Sequence, residues 1–135
     1  MSLGFNLISD LQFWKVDRTF GYNAQRKWEE VEGAPESFDG VDEPYDQGIS
    51  TVVLPTGAHS RDAFTLFTKT EMKVYNDLAG DTSVPTMIYL VDPTTSTNPI
   101  PYLVWGEETY RDNSAMLFLG GHHEYVCVRR DKIGV

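Results

Sequence analysis

Cysteine is nearly absent from this chain: Cys127 stands alone among 135 residues. A single cysteine allows no internal disulfide and no Cys-based zinc site. Long apolar runs are missing too, and none approaches the roughly 18–20 residues that a membrane span requires. Positive charge is scarce. Eleven Lys plus Arg stand against twenty Asp plus Glu, a formal net charge of -9 with a pI near 4.6. That balance excludes the generic electrostatic route to nucleic acid or anionic lipid, which needs a basic face, although it leaves room for a small basic patch. The first residues, Met1-Ser2-Leu3-Gly4-Phe5, lack the basic and apolar regions of a secretory signal. What is present is ordinary for a folded domain: 41% hydrophobic and 13% aromatic residues, too apolar a mixture for a disordered chain. The expectation is one soluble, acidic domain spanning residues 1–135, from a reducing compartment.

The acidity is concentrated. Residues 29–46 carry eight acids, no Lys or Arg, two Gly and two Pro. The other twelve acids nearly balance all eleven basic residues, so this stretch supplies most of the net charge. Like charges punctuated by Gly and Pro predict a loop or a loosely paired hairpin tip. Two roles fit it. One is a solvated loop that aids solubility; the other is a negative surface that keeps a second polyanion at a distance.

The remaining pattern is mostly strands. Residues 11–22 are aromatic-rich and partly alternating, and residues 25–29 are placed to pair back on them. A short β-branched run covers 49–54, stopped by Pro55-Thr56-Gly57. Residues 63–68 alternate with an aromatic on each face, which predicts a strand buried on both sides or packed under a loop. Further strands are expected over 86–91, 102–105, 115–119 and 123–130, with a polar loop of three prolines over 93–101 and a polar turn over 107–113. In the last strand Tyr125, Cys127 and Arg129 face one way and Glu124, Val126, Val128 and Arg130 the other. Helix is confined to a short window over 70–78, which reads equally as a strand, and to a single turn over 3–11. The fold class predicted is mainly β: a small single-domain barrel or sandwich with long projecting loops.

A search for chemistry finds no enzyme signature. Glu107-Glu108 and His122-His123 are adjacent pairs, and strand geometry sends adjacent side chains to opposite faces. No H-E-x-x-H spacing is present, although Glu124 and His59 are the remaining candidates for a metal site. Cys127, between two valines, reads as a small buried filler. Gly120-Gly121 lacks a phosphate-loop context. The aromatics Trp14, Trp28, Trp105, Phe64, Phe67 and Tyr125 read as core or interface rather than base-stacking residues, because single-strand binders pair stacking with a positive groove. No catalytic, cofactor or metal residue is therefore assigned.

One segment is more specific. Leu54, a turn with Gly57, the basic Arg61, the strand over 63–67 and Thr68-Lys69-Thr70-Glu71 follow in order. Ahead of them stand Gly21-Tyr22 and Trp28, and behind them a Gly turn and the aromatic-hydrophobic-basic strand over 125–130. This order resembles the head-closure proteins of tailed bacteriophages, also called stopper, head-tail joining or head-completion proteins. The resemblance spans about residues 18–133, with its motif in the middle; the 93–101 loop interrupts the late region and departs from the pattern.

The resemblance implies a small β-barrel in a non-enzymatic virion protein. Such a protein is made in the bacterial host cytoplasm and forms a homo-oligomeric ring between the portal or adaptor and the tail. It retains packaged DNA without tight binding and presents the surface on which a tail or tail-terminator protein docks. The acids Glu29, Glu30, Glu32, Glu36, Asp39, Asp42 and Glu43, or the 93–101 loop, are then expected to face the channel or an adjoining ring, since acid repels phosphate over about 8–10 Å at physiological salt. Arg61, Lys69, Lys73, Arg129 and Arg130 are candidate partners for these acids across subunits. The other readings are a tail-completion or baseplate protein, a monomeric β-barrel module for a ligand or peptide, and an enzyme using Glu107, Glu108, His122 and His123.

Overall fold

A computed structural model describes residues 11–22, 24–76, 78, 83–108 and 122–133. Its strands in chain order are β1 (Leu11–Val16), β2 (Arg18–Tyr22), β3 (Trp28–Glu32), β4 (Glu36–Pro44), β5 (Ala63–Thr68), β6 (Met87–Tyr89), β7 (Tyr102–Glu107) and β8 (His123–Arg129). Six of them close an antiparallel barrel in the order β1-β4-β5-β8-β7-β6, with β1 pairing β6 to complete the ring. The other two, β2 and β3, form a separate two-stranded sheet. No α-helix occurs among the described residues; 3₁₀ turns cover Ser60–Asp62 and Arg130–Lys132. None of the described helical segments is long and apolar enough to cross a membrane.

Strand alternation divides the apolar residues into two layers. On β8, Tyr125 and Cys127 join Phe13, Phe38, Phe64, Leu66, Ile88 and Val104 in one cluster, the barrel interior. Val126 and Val128 point the other way and pack with Val16, Ala63, Met87 and Leu103 in a second cluster. Residues 45–59 supply Tyr45, Val52, Leu54 and Ala58 to that outer layer. Strand β5 buries Phe64, Leu66 and Thr68 on one face, whereas on the other Ala63 is buried and Thr65 and Phe67 are half-buried, so the expected burial of both faces holds only in part. Each fully buried Leu, Ile or Val contributes about 1.5–3 kcal/mol, so neither layer is expendable.

A bulge between Val104 and Gly106 sets how the outer layer seats. Val104 pairs Cys127 and Gly106 pairs Val126, so Trp105 is the extra residue. A Cβ on Gly106 would lie 2.6 Å from Val52 Cγ1. Glycine is needed here for the close approach of the loop, and Trp105 Nε1 donates to the Val53 carbonyl beside it at 3.0 Å.

Several expectations are corrected. The acidic stretch 29–46 is not a single loop: residues 28–32 are β3 and residues 36–44 are β4, a barrel strand. Alternation hides Phe38 and Gly40 and exposes Asp39 and Glu43 on the opposite face, while Glu36 and Asp42 are exposed toward the strand's ends, so high charge and barrel strand coexist. Residues 11–22 are two strands in different sheets, divided at Asp17. Residues 49–54 are loop, in which Val52 and Leu54 pack on the outer layer while Ile49 and Val53 stay exposed. The expected pairing segment 25–29 begins later, at Trp28, and the strand over 86–91 is shortened to Met87–Tyr89. The 70–78 window, open to helix or strand, is assigned neither over 71–76. There Lys73 exchanges bonds with Thr86, Tyr75 N donates to Val104 O at 3.0 Å, and Met72 enters the barrel interior. Tertiary pairing overrides the local propensity. The 93–101 segment is a loop, as expected. The strand over 115–119, the turn over 3–11 and most of the polar turn over 107–113 lie outside the described residues.

Candidate functional site

The hairpin β2–β3 is built from its base outward. Gly33 N donates to Asp17 O at 2.8 Å, closing the base. Arg18 is 3% exposed, and its Nε and Nη2 donate to the Pro85 carbonyl at 3.0 and 2.7 Å while Nη1 pairs with Glu30. Burial draws its ionisation down from the ordinary arginine value, and Glu30 opposes that shift. Arg130 reaches the same carboxylate at 3.1 Å and lies 3.9 Å from Glu32. Glu30 is thus held between two guanidiniums. A cavity of about 530 Å³ lies beside this anchor, lined by Arg18, Glu30, Tyr75, Trp105, Arg130 and Ile133 among others.

The hairpin's outer half is different. Register places Arg18, Phe20, Tyr22, Trp28, Glu30 and Glu32 on one face. Phe20 stacks on Trp28 at 6.4 Å and Tyr22 meets Trp28 edge-on at 5.2 Å. Yet Trp28 is 59% and Tyr22 71% exposed. The turn between them carries Arg26 and Lys27, both exposed, with Arg26 at φ 62.

The other predicted acids lie on β4. Glu36 is 3.7 Å from Lys15, and Asp39, Asp42 and Glu43 are exposed. Glu29 is exposed on β3. Of the predicted basic partners, Arg130 is engaged by Glu30 and Glu32 within the chain and Arg129 by Asp131 at 2.9 Å. Arg61, Lys69 and Lys73 are exposed.

The loop 45–59 is held by a buried carboxylate. Glu108 accepts from the Ser50 hydroxyl, and from Thr51 N and Oγ1 at 2.8 Å each. Tyr45 Oη donates to Val52 O at 2.6 Å. The pinned loop leaves Ile49 (72%) and Val53 (83%) standing in solvent. A groove of about 510 Å³ lies on one side, lined by Tyr45, Val53, Leu54, Ala58 and His59 among others. A smaller cleft of about 100 Å³ lies on the other, with Glu43, Asp46, Glu108 and Glu124 in its wall.

Several positions of the motif over residues 54–71 have a structural explanation. Leu54 packs on the outer layer, and Gly57 adopts φ +94, the left-handed region that glycine enters without strain. Asp62 accepts from His59 N at 3.0 Å to close the 3₁₀ turn, and that bond holds its carboxyl below the usual carboxylate value. Thr68 is buried; its hydroxyl donates to Asp39 O at 2.8 Å and accepts from Thr70 N at 3.2 Å, turning the chain after β5.

The candidate chemical groups fall on two faces. Glu107 pairs with His123 Nδ1 at 2.8 Å, and His123 stacks on the interior Tyr125. His122 is 3.7 Å from Glu124, while Glu108 is committed to the loop. Among the described residues no group of three or more His, Cys, Asp or Glu is arranged to hold a metal ion. Burial raises the Cys127 thiol well above its ordinary value and pushes the Tyr125 hydroxyl up to about 12, the latter opposed by the Met72 N–H. Sequence reasoning missed Arg18, Tyr22, Arg26, Lys27, Ile49 and Val53. The signal available was the Arg26-Lys27 pair, set directly before Trp28 in an otherwise acidic neighbourhood.

Comparison with protein-family models, with curated proteins and with solved structures finds no significant match to this chain.

Proposed function

We propose that the chain is a non-enzymatic structural protein of a tailed-bacteriophage neck. Its copies form a ring between the portal or adaptor and the tail, closing the head, retaining DNA and offering a docking surface to the tail. The observation that carries this reading is a small closed barrel with a separate hairpin and pinned loops, bearing the Leu54–Gly57–Arg61–Thr68–Glu71 order along the loop and β5. A rigid barrel supplies the ring's wall and the projecting elements reach its neighbours. The exposed acids of β3 and β4 keep phosphate from adhering, over a range of about 8–10 Å. Arg130 and Arg18 brace the hairpin from inside the subunit.

The test is a pull-down with the tagged chain from a lysate containing virion proteins, read by mass spectrometry. Recovery of portal, adaptor or tail proteins is the expected result. Recovery of baseplate or tail-completion proteins alone would move the chain to that part of the virion. A second reading has one observation in its favour: the cavity beside Arg18 and Trp105 combines aromatic walls with two guanidiniums, as a ligand or peptide module would. That reading requires a monomer with no virion partner.

A further inference from the structure

An isolated two-stranded sheet is marginal in water at best, and the anchor of this one to the barrel lies along its inner half. The Arg18, Glu30 and Arg130 group and the Gly33–Asp17 bond secure the base. The outer half presents Tyr22 and Trp28, more exposed than aromatic side chains of that size ordinarily are, beside Arg26 and Lys27. The Arg26 backbone adopts a left-handed conformation that glycine would accept without strain, yet the position carries a guanidinium. A second surface on the same chain has the opposite character. The crest of the 45–54 loop holds Ile49 and Val53 almost fully in solvent, and the exposed carboxylates of Glu43 and Asp46 flank it. The adjoining groove of about 510 Å³ is roomy enough for an aromatic side chain.

We infer that the basic, aromatic tip of the β2–β3 hairpin docks on the Ile49–Val53 crest of a second copy of this chain, with Arg26 and Lys27 set against Glu43 and Asp46. The inference rests on the ring reading above and names the surfaces that would form it. Two features match at once, apolar against apolar and positive against negative. The crest is rigid before contact, because Glu108, Tyr45 and Trp105 already hold its backbone; little loop entropy is lost on docking. The two patches are different surfaces, so the contact is heterologous, and repeated head-to-tail it closes a ring or grows a filament.

The experiment is sedimentation velocity of the full chain from micromolar to millimolar concentration, with circular dichroism to confirm each variant's fold. The native chain is expected to associate as concentration rises. Tyr22→Ala with Trp28→Ala should weaken association by about 100-fold or more, as removal of two central aromatic anchors does. Because those rings also pack on each other, charge reversal supplies an independent arm. Arg26→Glu with Lys27→Glu should abolish association, and adding Glu43→Lys with Asp46→Lys in the same chain should restore it. A tip-defective chain mixed with an Ile49→Asp, Val53→Asp chain retains one working contact and should stop at a dimer. A native chain that stays monomeric to millimolar concentration, association indifferent to the tip variants, or a mixture that stays monomeric would each overturn the inference. Failure of the neck reading looks different: tip-dependent association persists, but the chain is missing from virions and recovers no neck protein.

Discussion

Replacing Arg18 with methionine tests whether the hairpin is held to the barrel as described. The substitution keeps most of the stem and removes the guanidinium. Two charge-assisted bonds to the buried Pro85 carbonyl are lost, and orphaning a buried acceptor costs about 1–3 kcal/mol. Glu30 retains Arg130, so it does not become an unpaired charge, and the methionine avoids the desolvation that the arginine bears. The net expectation is a loss of about 2–3 kcal/mol, which for a domain of this length lowers the melting temperature by about 7–10 °C. Arg18→Ala also forfeits the stem's packing and should cost about 3–5 kcal/mol. A double-mutant cycle with Glu30→Gln should return a coupling of about 1–2 kcal/mol. The assay is urea unfolding followed by fluorescence and circular dichroism, with hydrogen exchange to locate the change. Exchange should accelerate across 18–32 while β5 and β8 stay protected. A methionine variant within about 0.5 kcal/mol of the native chain, or exchange raised equally everywhere, would refute the anchoring argument.

Three further outcomes follow from other parts of the molecule. Gly106→Ala drives a methyl into Val52 and should destabilise by about 1–3 kcal/mol, with Val52→Ala in the same chain recovering part of the loss; thermal melts of the three variants check it. Cys127, fully buried with a raised thiol, should resist thiol reagents in the folded chain at pH 8 and react on unfolding in urea, whereas rapid native labelling would contradict its place in the barrel. Asp62 has its carboxyl lowered by the His59 N–H, so its contribution is full above the ordinary value of 3.8 and is lost as pH falls through the depressed folded value; Asp62→Asn should flatten that part of the acid limb in denaturation midpoints measured from pH 2 to 5.

The β class was legible because alternation is a local property. Residues 63–68 and 123–130 show their faces in the sequence, and Tyr125 and Cys127 against Val126 and Val128 sort as alternation requires. Charge density misled over 29–46, since it reports exposure rather than backbone conformation. A strand with one wet face accommodates acids at alternate positions, as Asp39 and Glu43 do around Val41. The 70–78 window was undecided between helix and strand from its own residues, because the Thr86 and Val104 backbone groups that claim it are distant in sequence. The interaction surfaces were the least legible part. Arg18 and Arg26 are chemically alike and eight positions apart, yet one is buried against Pro85 and the other stands in solvent.

The sequence by itself determined the size class, the acidic character, the solitary buried thiol and the strand-dominated fold, because composition and two-residue periodicity act through short-range physics. Only the tertiary structure decided that β2 and β3 leave the barrel, that Glu30 joins two arginines separated by more than a hundred residues of chain, and that Ile49 and Val53 remain uncovered. Those outcomes depend on which strands close the barrel and where the Val104–Gly106 bulge seats the outer loop. Pairing between residues distant in sequence is set by the packing of the whole domain, and no local pattern encodes it.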